Sequence, residues 1–207
     1  MYKEYIIKII FSLLIIFALF KKNTERLMES DYTFKVLMLG DASVGKTSLT
    51  LRYISGFFVE DLRLTIGVDF FSKSVFFNGE RIKLQLWDFG GEERFRFLLP
   101  QYAKGASGAF ILYDITHPAS LSHLPDWSYI VRENAGDVPL MLVGSKADLS
   151  EYRSVKREDG INAAKRYNMR SFVELSSKTG QNVEKAFEVL AQILLEESKK
   201  KHAKMDF

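Results

Sequence analysis

Apolar runs of strand length alternate with helix-length segments from residue 31 onward. Short buried runs separated by helical stretches are typical of parallel strands joined by crossover helices. The predicted strands are residues 34–39, 68–77, 81–88, 108–114, 139–144 and 172–175. A last helix is predicted over residues 183–197, and its apolar face is formed by Phe187, Leu190, Ile193 and Leu194. The pattern predicts a three-layer α/β fold with a mostly parallel sheet.

One connection between predicted strands is too short for a crossover. Only Asn78-Gly79 and the residues flanking it separate the second and third apolar runs, and this dipeptide is a strong signal for a two-residue hairpin turn. The second and third strands are therefore predicted to be antiparallel, in a six-stranded sheet whose other pairs are parallel.

Residues 5–20 form an almost continuous apolar run that is interrupted by Lys8 and Ser12. As a helix this run would be about 24 Å long, slightly less than the roughly 30 Å hydrocarbon core of a bilayer. More Lys and Arg residues follow the run than precede it, so a membrane anchor here predicts a domain on the cytoplasmic side. Two alternatives stay open. The run is either sequence upstream of a true start at Met28 or a helix that packs on the domain.

The composition excludes several functions. Without cysteine, the 207-residue chain has no disulfide, no thiol nucleophile and no acceptor for a C-terminal prenyl or palmitoyl group. A net charge of +3 is too small to indicate a nucleic-acid partner. The one basic cluster is formed by Lys199, Lys200, Lys201 and Lys204. Its ordinary interpretation is a solvent-exposed helix end. The predicted organisation is an N-terminal segment over 1–30, a domain over 31–198 and a basic tail over 199–207.

Residues 40–47 read GDASVGKT and match the phosphate-binding pattern G-x-x-x-x-G-K-[ST]. The motif follows a predicted strand and opens a predicted helix, which is the context that the pattern requires. Backbone N–H groups at a helix N-terminus bind phosphates, Lys46 reaches the β- and γ-phosphates, and the Thr47 hydroxyl binds Mg²⁺. The predicted phosphate-binding residues are Gly40, Asp41, Ala42, Ser43, Val44, Gly45, Lys46, Thr47 and Ser48.

A second motif indicates which base is bound. Asp148 follows the apolar run 139–144, and its carboxylate can accept hydrogen bonds from guanine N1–H and the 2-amino group. Adenine has neither donor, so a buried carboxylate left unpaired would disfavour adenine by a few kcal/mol. A second segment follows the last predicted strand, where a backbone N–H could donate to guanine O6. The predicted base-binding residues are Ser145, Lys146, Asp148, Ser176, Ser177 and Lys178.

With these motifs the chain resembles the Ras superfamily of small GTPases, and the Rab group in particular, over residues 32–197. Residues 65–70 (TIGVDF) are similar to Rab switch I, and residues 87–95 (WDFGGEERF) are similar to switch II. The resemblance implies a P-loop GTPase fold, Mg²⁺-dependent hydrolysis of GTP to GDP, and switches that change between the two states. It also implies that effectors, exchange factors and activating proteins bind through residues 58–70 and 88–102.

The resemblance assigns roles to single residues. Thr65 would contact Mg²⁺ and the γ-phosphate only in the GTP state, and Asp88 would hold Mg²⁺ through water. The Gly91 N–H would bind the γ-phosphate, and Phe58 would pack edge-on against guanine. The implied metal residues are Thr47, Thr65 and Asp88. The implied catalytic residues are Lys46, Thr65, Gly91 and Glu92.

Two departures from the family pattern bear on hydrolysis. Glu92 occupies the place of a glutamine that orients the attacking water, and a carboxylate only accepts hydrogen bonds. Its charge would also face the γ-phosphate, where transition-state charge must be neutralised, so slow hydrolysis is expected. The open alternative is that Glu92 merely sits on switch II while another group supplies catalysis. Ala42 adds a methyl group where an arginine finger would approach, although a small side chain is tolerated there.

Three further positions differ from the family. Ser145 replaces an asparagine beside the base, and the shorter side chain is expected to lower nucleotide affinity by roughly 1–3 kcal/mol. With Gly90 beside Gly91, switch II resembles that of the Arf group, which contains two glycines. Arg63 lies two residues before Thr65, whereas Gα proteins carry a cis-acting arginine three residues before their threonine. A solvent-exposed arginine is its ordinary interpretation.

The leading hypothesis is an enzyme that acts as a switch. The alternative is a GTP-loaded binding module with negligible hydrolysis, which Glu92 and Ala42 motivate. An ATP-dependent protein is disfavoured by Asp148 and Thr65. The histidines are interpreted as loop or surface residues, and they are His117, His123 and His202.

Overall fold

The computed structural model describes residues 31–205, so the expectations for residues 1–30 and 206–207 lie outside the described part of the chain. The strands are β1 (Tyr32–Leu39), β2 (Val68–Phe77), β3 (Glu80–Phe89), β4 (Gly108–Asp114), β5 (Leu140–Ser145) and β6 (Ser171–Glu174). They form one sheet in the order β2-β3-β1-β4-β5-β6. β2 is antiparallel to β3, and all other neighbouring pairs are parallel. The predicted fold class is confirmed.

Helices join successive strands except at the β2–β3 hairpin, and the last helix follows β6. They are α1 (Lys46–Ser55), α2 (Leu99–Ala103), α3 (Pro118–Ser122), α4 (Leu124–Ala135), α5 (Arg157–Arg166) and α6 (Val183–Met205). Two short 3-10 helices span Glu93–Leu98 and Ala147–Tyr152. Within residues 31–205, no helix combines the length and the apolar character needed to cross a bilayer.

The β2–β3 hairpin turns at Asn78-Gly79, as the sequence predicts. Asn78 has a φ of 51° and Gly79 a φ of 81°, and the flanking residues Phe77 and Glu80 are paired. Positive φ at both central residues is the requirement of a type I′ turn, which asparagine and glycine meet at low cost. This turn explains the single antiparallel pair of the sheet.

The C-terminal helix continues to Met205 and not to residue 197, where the sequence analysis ended it. Its last turns carry lysine and alanine, which are good helix formers, but they have little of the apolar periodicity on which the prediction rested. Lys199 in this part binds Glu80 at the hairpin, with Nζ 2.8 Å from Oε1. Residues 199–205 are therefore helical and continuous with the domain.

The core has two halves, one on each face of the sheet. Alternate residues of a strand point to opposite faces, so Val36 and Met38 of β1 pack in the half that contains Phe187 of α6. Leu37 packs in the other half with Trp127 of α4. Every residue of the central strand β4 is buried. The sheet is thus the middle of three layers, and the carboxyl ends of its parallel strands meet at one edge, where ligands bind in such folds.

Candidate functional site

The phosphate-binding loop joins β1 to α1 at this edge. Gly40 has a φ of 133°, and a Cβ added there would lie 2.3 Å from the Leu112 carbonyl oxygen, so no other residue fits. Gly45, with a φ of 94°, is the N-cap of α1. The loop therefore presents the N-terminus of a helix whose free backbone N–H groups and dipole favour an anion.

Lys46 is buried beneath this loop. Its Nζ donates hydrogen bonds to the carbonyl oxygens of Gly40 at 2.8 Å and of Asp41 at 2.6 Å. Burial lowers the pKa of Lys46 to about 8, and the negative charges of Asp88 and Asp41 oppose that shift. An anionic phosphate beside Lys46 would favour its charged form.

Three oxygen-bearing side chains meet next to Lys46. Thr47 donates a hydrogen bond to Asp88 Oδ2 at 2.5 Å, and its Oγ1 lies 2.7 Å from Thr65 Oγ1. Asp88 is fully buried, and its Oδ1 has no hydrogen-bond partner. Burial raises the pKa of Asp88 to about 6, although the hydrogen bond from Thr47 and the charge of Lys46 act to lower it.

This arrangement fits a magnesium ion. Mg²⁺ prefers oxygen ligands and is commonly held by one or two carboxylates together with substrate phosphates and waters. The orphaned, buried carboxylate oxygen of Asp88 is a group that a cation would satisfy. The described residues contain no group of three or more His, Cys, Asp or Glu that could form an all-protein cage, so one carboxylate and two hydroxyls are the donors available here.

A cavity of about 240 Å³ opens above these residues. Besides the loop, its walls come from the segment before β2 and from switch II. Glu60, Leu62, Leu64 and Phe89 line it although the sequence analysis had not singled them out. The lining residues are Ala42, Ser43, Gly45, Lys46, Thr47, Ser48, Glu60, Leu62, Arg63, Leu64, Thr65, Phe89, Gly91, Glu92 and Lys146.

Gly91 lies against the phosphate-binding loop itself. A Cβ added at Gly91 would be 2.2 Å from the Asp41 carbonyl carbon and 2.3 Å from the Ala42 nitrogen. Switch II therefore touches the loop through backbone alone at this point. Any side chain here would push the two segments apart.

Glu92 lines the same cavity and forms an ion pair within switch II. Arg94 Nε lies 2.8 Å from Glu92 Oε2, and Arg94 Nη2 donates to Oε1 at 3.2 Å. This fork-shaped pairing engages both carboxylate oxygens. The sequence analysis missed Arg94 as the partner of Glu92. Arg63 is exposed at the rim of this cavity, in agreement with its ordinary interpretation.

A second cavity, of about 320 Å³, adjoins the first. It contains five of the six residues predicted for base binding and also Phe58, together with Leu149, which the sequence analysis had not singled out. Its lining residues are Gly45, Ser48, Phe58, Glu60, Ser145, Lys146, Asp148, Leu149, Ser177 and Lys178. Ser176 is buried behind the wall, and its hydroxyl donates to Asp148 Oδ1 at 2.5 Å, which orients the carboxylate.

Ser145 links β5 to the phosphate-binding loop. Its buried hydroxyl lies 2.6 Å from the Val44 carbonyl oxygen and 2.8 Å from that of Tyr113. Since a hydroxyl has one hydrogen to donate, the two carbonyls share it. Ser145 thus ties the end of β5 to the phosphate-binding loop, a role that the sequence analysis did not foresee.

Lys146 is held in place by an aspartate that sequence reasoning missed. Lys146 Nζ lies 2.7 Å from Asp114 Oδ2, and Asp114 Oδ1 accepts hydrogen bonds from the backbone N–H and hydroxyl of Thr116. Burial alone would raise the pKa of Asp114, but the hydrogen bonds from Lys146 and Thr116 outweigh it and keep the pKa below its usual value. Lys146 itself has a φ of 61°, in the left-handed region.

The histidines differ in their surroundings. His117 is the N-cap residue of α3, and His202 Nδ1 lies 2.8 Å from the Ser198 carbonyl oxygen of its own helix. His123 lies in the short connection between α3 and α4, as expected for a loop histidine. Its Nδ1 is 2.6 Å from Asp41 Oδ2, a contact with the phosphate-binding loop that the sequence did not predict.

A phosphate-binding loop at the carboxyl ends of the parallel strands of this six-stranded sheet matches the P-loop GTPase class, and the fold is that of the Ras-like members. The model of the Ras family matches residues 35–196. The chain is 39% identical to Ras-related protein Rab-19 of Xenopus laevis over 166 residues, which cover 80% of this chain and 78% of the relative. It is 42% identical to Ras-related protein Rab-26 of Bos taurus over 176 residues, covering 84% and 67%. Ras-related protein Rab-8B of Bos taurus is 40% identical over 166 residues, covering 80% of each. The chain therefore belongs to the Ras family and is a small GTPase close to the Rab group.

Proposed function

We propose that the chain is a guanine-nucleotide switch that hydrolyses GTP slowly and presents different switch conformations in its GTP and GDP states. The observation that carries this proposal is a phosphate cavity that adjoins a base cavity. Four residues line both, and they are Gly45, Ser48, Glu60 and Lys146. A cleft of this kind suits one extended ligand with a phosphate chain at one end and a base at the other.

At the phosphate end, backbone N–H groups of residues 40–47 and Lys46 bind the phosphates. Thr47, Thr65 and Asp88 would hold Mg²⁺, which neutralises phosphate charge when bound. At the base end, Asp148 accepts hydrogen bonds from guanine, Phe58 packs edge-on against the base, and Lys146 lines the same cavity. The Ser176 hydroxyl fixes the orientation of the Asp148 carboxylate.

The low rate of hydrolysis is assigned to Glu92. A carboxylate at the phosphate cavity adds negative charge where charge must be neutralised, and it offers no donor to the attacking water. The ion pair with Arg94 offsets part of that charge, but it also engages both carboxylate oxygens. The alternative, a GTP-loaded binding module with negligible hydrolysis, is favoured by the same residue.

Single-turnover hydrolysis on purified protein distinguishes the two functions. We expect slow but measurable conversion of bound GTP to GDP, and a rate about tenfold or more higher in Glu92→Gln, which regains a donor and loses the charge. The exposed neighbouring variant Glu93→Gln is the matched control and should behave like the wild type. GTP that stays intact in both the wild type and Glu92→Gln would support the binding module.

The nucleotide that co-purifies with the native protein provides an independent test. We expect guanine nucleotide in near-equal amount to the protein, with GTP strongly represented if hydrolysis is slow. Adenine nucleotide, or none, would contradict the base assignment.

Effectors and regulators are proposed to bind through residues 58–70 and 88–102. This proposal is supported by large apolar side chains that are exposed on both switches, since contiguous exposed apolar surface marks interaction sites. Ile66 is 76% exposed and Phe97 is 74% exposed, and the others are Val59, Leu64 and Phe70.

Attachment to a membrane is proposed through the apolar run 5–20, which lies outside the described residues. The exposed residues Lys199, Lys200 and Lys201 at the end of α6 would add an electrostatic contact with anionic lipid. The domain would then face the cytoplasm, as the charges that follow the run predict.

A further inference from the structure

Asp41, the second residue of the phosphate-binding loop, is turned away from the nucleotide cleft. It lines neither cavity, and its side chain is only 18% exposed. Asp41 Oδ2 lies 2.6 Å from His123 Nδ1, and Oδ1 accepts a hydrogen bond from Trp127 Nε1 at 3.0 Å. Because Trp127 lies in α4 and is buried, these contacts fasten the loop to a rigid helix of the core.

A third group reaches Asp41 from switch II. Arg96, in the 3-10 helix Glu93–Leu98, has Nη2 3.8 Å from Asp41 Oδ1 and Nη1 3.8 Å from Asp126 Oδ2. Its guanidinium carbon lies 4.7 Å from the centre of the Trp127 ring. The guanidinium is thus placed between two carboxylates and over an aromatic face, which attracts cations.

The contact of Arg96 is electrostatic and contains no close hydrogen bond to these partners. Both ion-pair distances exceed hydrogen-bond length, and the buried Nε has no hydrogen-bond partner. By contrast, the Asp41 contacts with His123 and Trp127 are short. Separating Arg96 from Asp41 therefore costs less free energy than breaking the hydrogen bonds of Asp41 with His123 and Trp127. This is what a contact made by a moving switch requires.

Switch II also contacts the phosphate-binding loop at a second point. The close approach of Gly91 is to Asp41 and Ala42, and Arg96 follows Gly91 by five positions. Glu92, which lines the phosphate cavity, lies between these two contacts. The contacts of Gly91 and Arg96 with the loop, which flank Glu92 in the chain, therefore restrict where Glu92 can lie relative to the phosphates.

We propose that Arg96 is a positioning residue for GTP hydrolysis, and that it acts through Asp41. It docks switch II on the phosphate-binding loop, and His123 and Trp127 hold Asp41 ready to receive it. This inference rests on the proposed hydrolytic function, because the segment that Arg96 positions contains Glu92. It assigns Asp41 a part in coupling the loop to switch II, in addition to its place in the phosphate-binding motif.

The test compares Arg96→Ala, Arg96→Lys and the control Arg170→Ala, whose arginine pairs with Glu197 far from the cleft. In single-turnover assays with GTP, Arg96→Ala should be about tenfold slower, while its GDP dissociation rate should change less than about twofold. Arg96→Lys keeps the charge and should recover part of the rate. Arg170→Ala should match the wild type in both measurements. Equal hydrolysis by all proteins, or equal losses in hydrolysis and in GDP retention for Arg96→Ala, would overturn the proposal.

A double-mutant cycle tests whether Arg96 acts through Asp41. Asp41→Asn keeps an acceptor for Trp127 but removes the charge that attracts Arg96. If Asp41 is the relevant partner, the double variant should lose less hydrolysis than the sum of the two single losses, because both changes remove the same ion pair. If the losses of hydrolysis rate in the two single variants add up in the double variant, Arg96 and Asp41 do not share an interaction. A second cycle that pairs Arg96→Ala with Asp126→Asn should be closer to additive.

Hydrogen exchange separates this proposal from the question of hydrolysis itself. Exchange in residues 91–98 of protein loaded with a non-hydrolysable GTP analogue should be faster in Arg96→Ala than in Arg170→Ala. This measurement requires no turnover. If the wild type proves inactive as a hydrolase but the exchange difference is present, the proposed function fails while the docking of switch II by Arg96 stands. Equal exchange in the two variants would overturn the docking.

Discussion

At the scale of single residues, base identity depends on the Asp148 carboxylate. Its replacement by the amide of Asp148→Asn removes the charge but adds a donor that suits the 2-oxo group of xanthine. We expect GDP affinity to fall by roughly 1.5–3 kcal/mol, about 10- to 150-fold, with a shift in preference toward xanthine nucleotides. Competition binding with GDP and XDP measures this. Asp137→Asn, at an exposed residue paired with Arg132, is the control, and unchanged GDP affinity in Asp148→Asn would refute the assignment.

The Asp114 carboxylate gives the stability of the base site a pH dependence. Its pKa is lower in the folded state than in the unfolded chain, so the unfolded state binds more protons as the pH falls through the acidic range. Its contribution is therefore complete above the ordinary aspartate pKa of about 4 and is lost as the pH falls below it. At pH 7, Asp114→Asn should lower the free energy of unfolding by about 1–3 kcal/mol, since it removes charge-assisted hydrogen bonds.

This expectation is checked by urea unfolding of the wild type and Asp114→Asn in a fixed excess of GDP between pH 7 and pH 3. The difference in unfolding free energy should be constant from pH 7 to about pH 5 and then shrink toward pH 3. A difference that grows as the pH falls would have the wrong sign for a carboxylate stabilised in its charged form.

Sequence reasoning recognises the residues of a contiguous motif but does not find their partners. The loop over residues 40–47 and the segment around Asp148 are recognisable because their residues are neighbours in the chain. The hydroxyl of Ser145, by contrast, bonds to Val44 and Tyr113, which are 101 and 32 positions away. Such contacts depend on how crossover connections bring strand ends together, and no local pattern encodes them.

At the scale of elements, the strands were predictable because buried apolar runs and an Asn-Gly turn are local signals. The end of α6 was not, because a charged helix end lacks apolar periodicity and its stability depends on contacts such as Lys199 with Glu80. The 3-10 segment Glu93–Leu98 was likewise not predicted, and its Arg96 lies near Asp41 of the phosphate-binding loop and Asp126 of α4. No pattern in the residues of this segment predicts a 3-10 helix.

The switches are the elements expected to respond to the nucleotide. Residues 58–66 have no regular secondary structure, so their amides are protected only when side chains such as Thr65 are held at the site. We expect slower hydrogen exchange over residues 58–70 and 88–102 with a GTP analogue than with GDP. Amides in the middle of α6 should exchange equally in both states and serve as the internal control. Identical protection of the switches in both states would support a static binding module.

At the scale of the whole molecule, the nucleotide site and residue 31, where the described part of the chain begins, lie at opposite ends of the sheet. The site occupies the carboxyl edge of the parallel strands. At the other edge, Asp31 accepts a hydrogen bond from the Arg81 N–H, and Lys199 binds Glu80. Residue 31 therefore lies far from the switches, and a membrane contact made through residues 5–20 would leave the switches accessible.

This geometry leads to a prediction about attachment. We expect the full-length chain to fractionate with membranes and to resist a high-salt wash. Burial of the apolar run 5–20 contributes about 1.5–3 kcal/mol for each large side chain, whereas each exposed lysine adds roughly 1 kcal/mol at an anionic surface and is screened by salt. A protein that begins at Met28 should stay in the soluble fraction and bind GTP with unchanged affinity, because no nucleotide-binding motif precedes Gly40 in the sequence. Release of the full-length chain by salt alone would mean that the run packs on the protein. A native N-terminus at Met28, identified by mass spectrometry, would remove the run from the mature protein and the anchor with it.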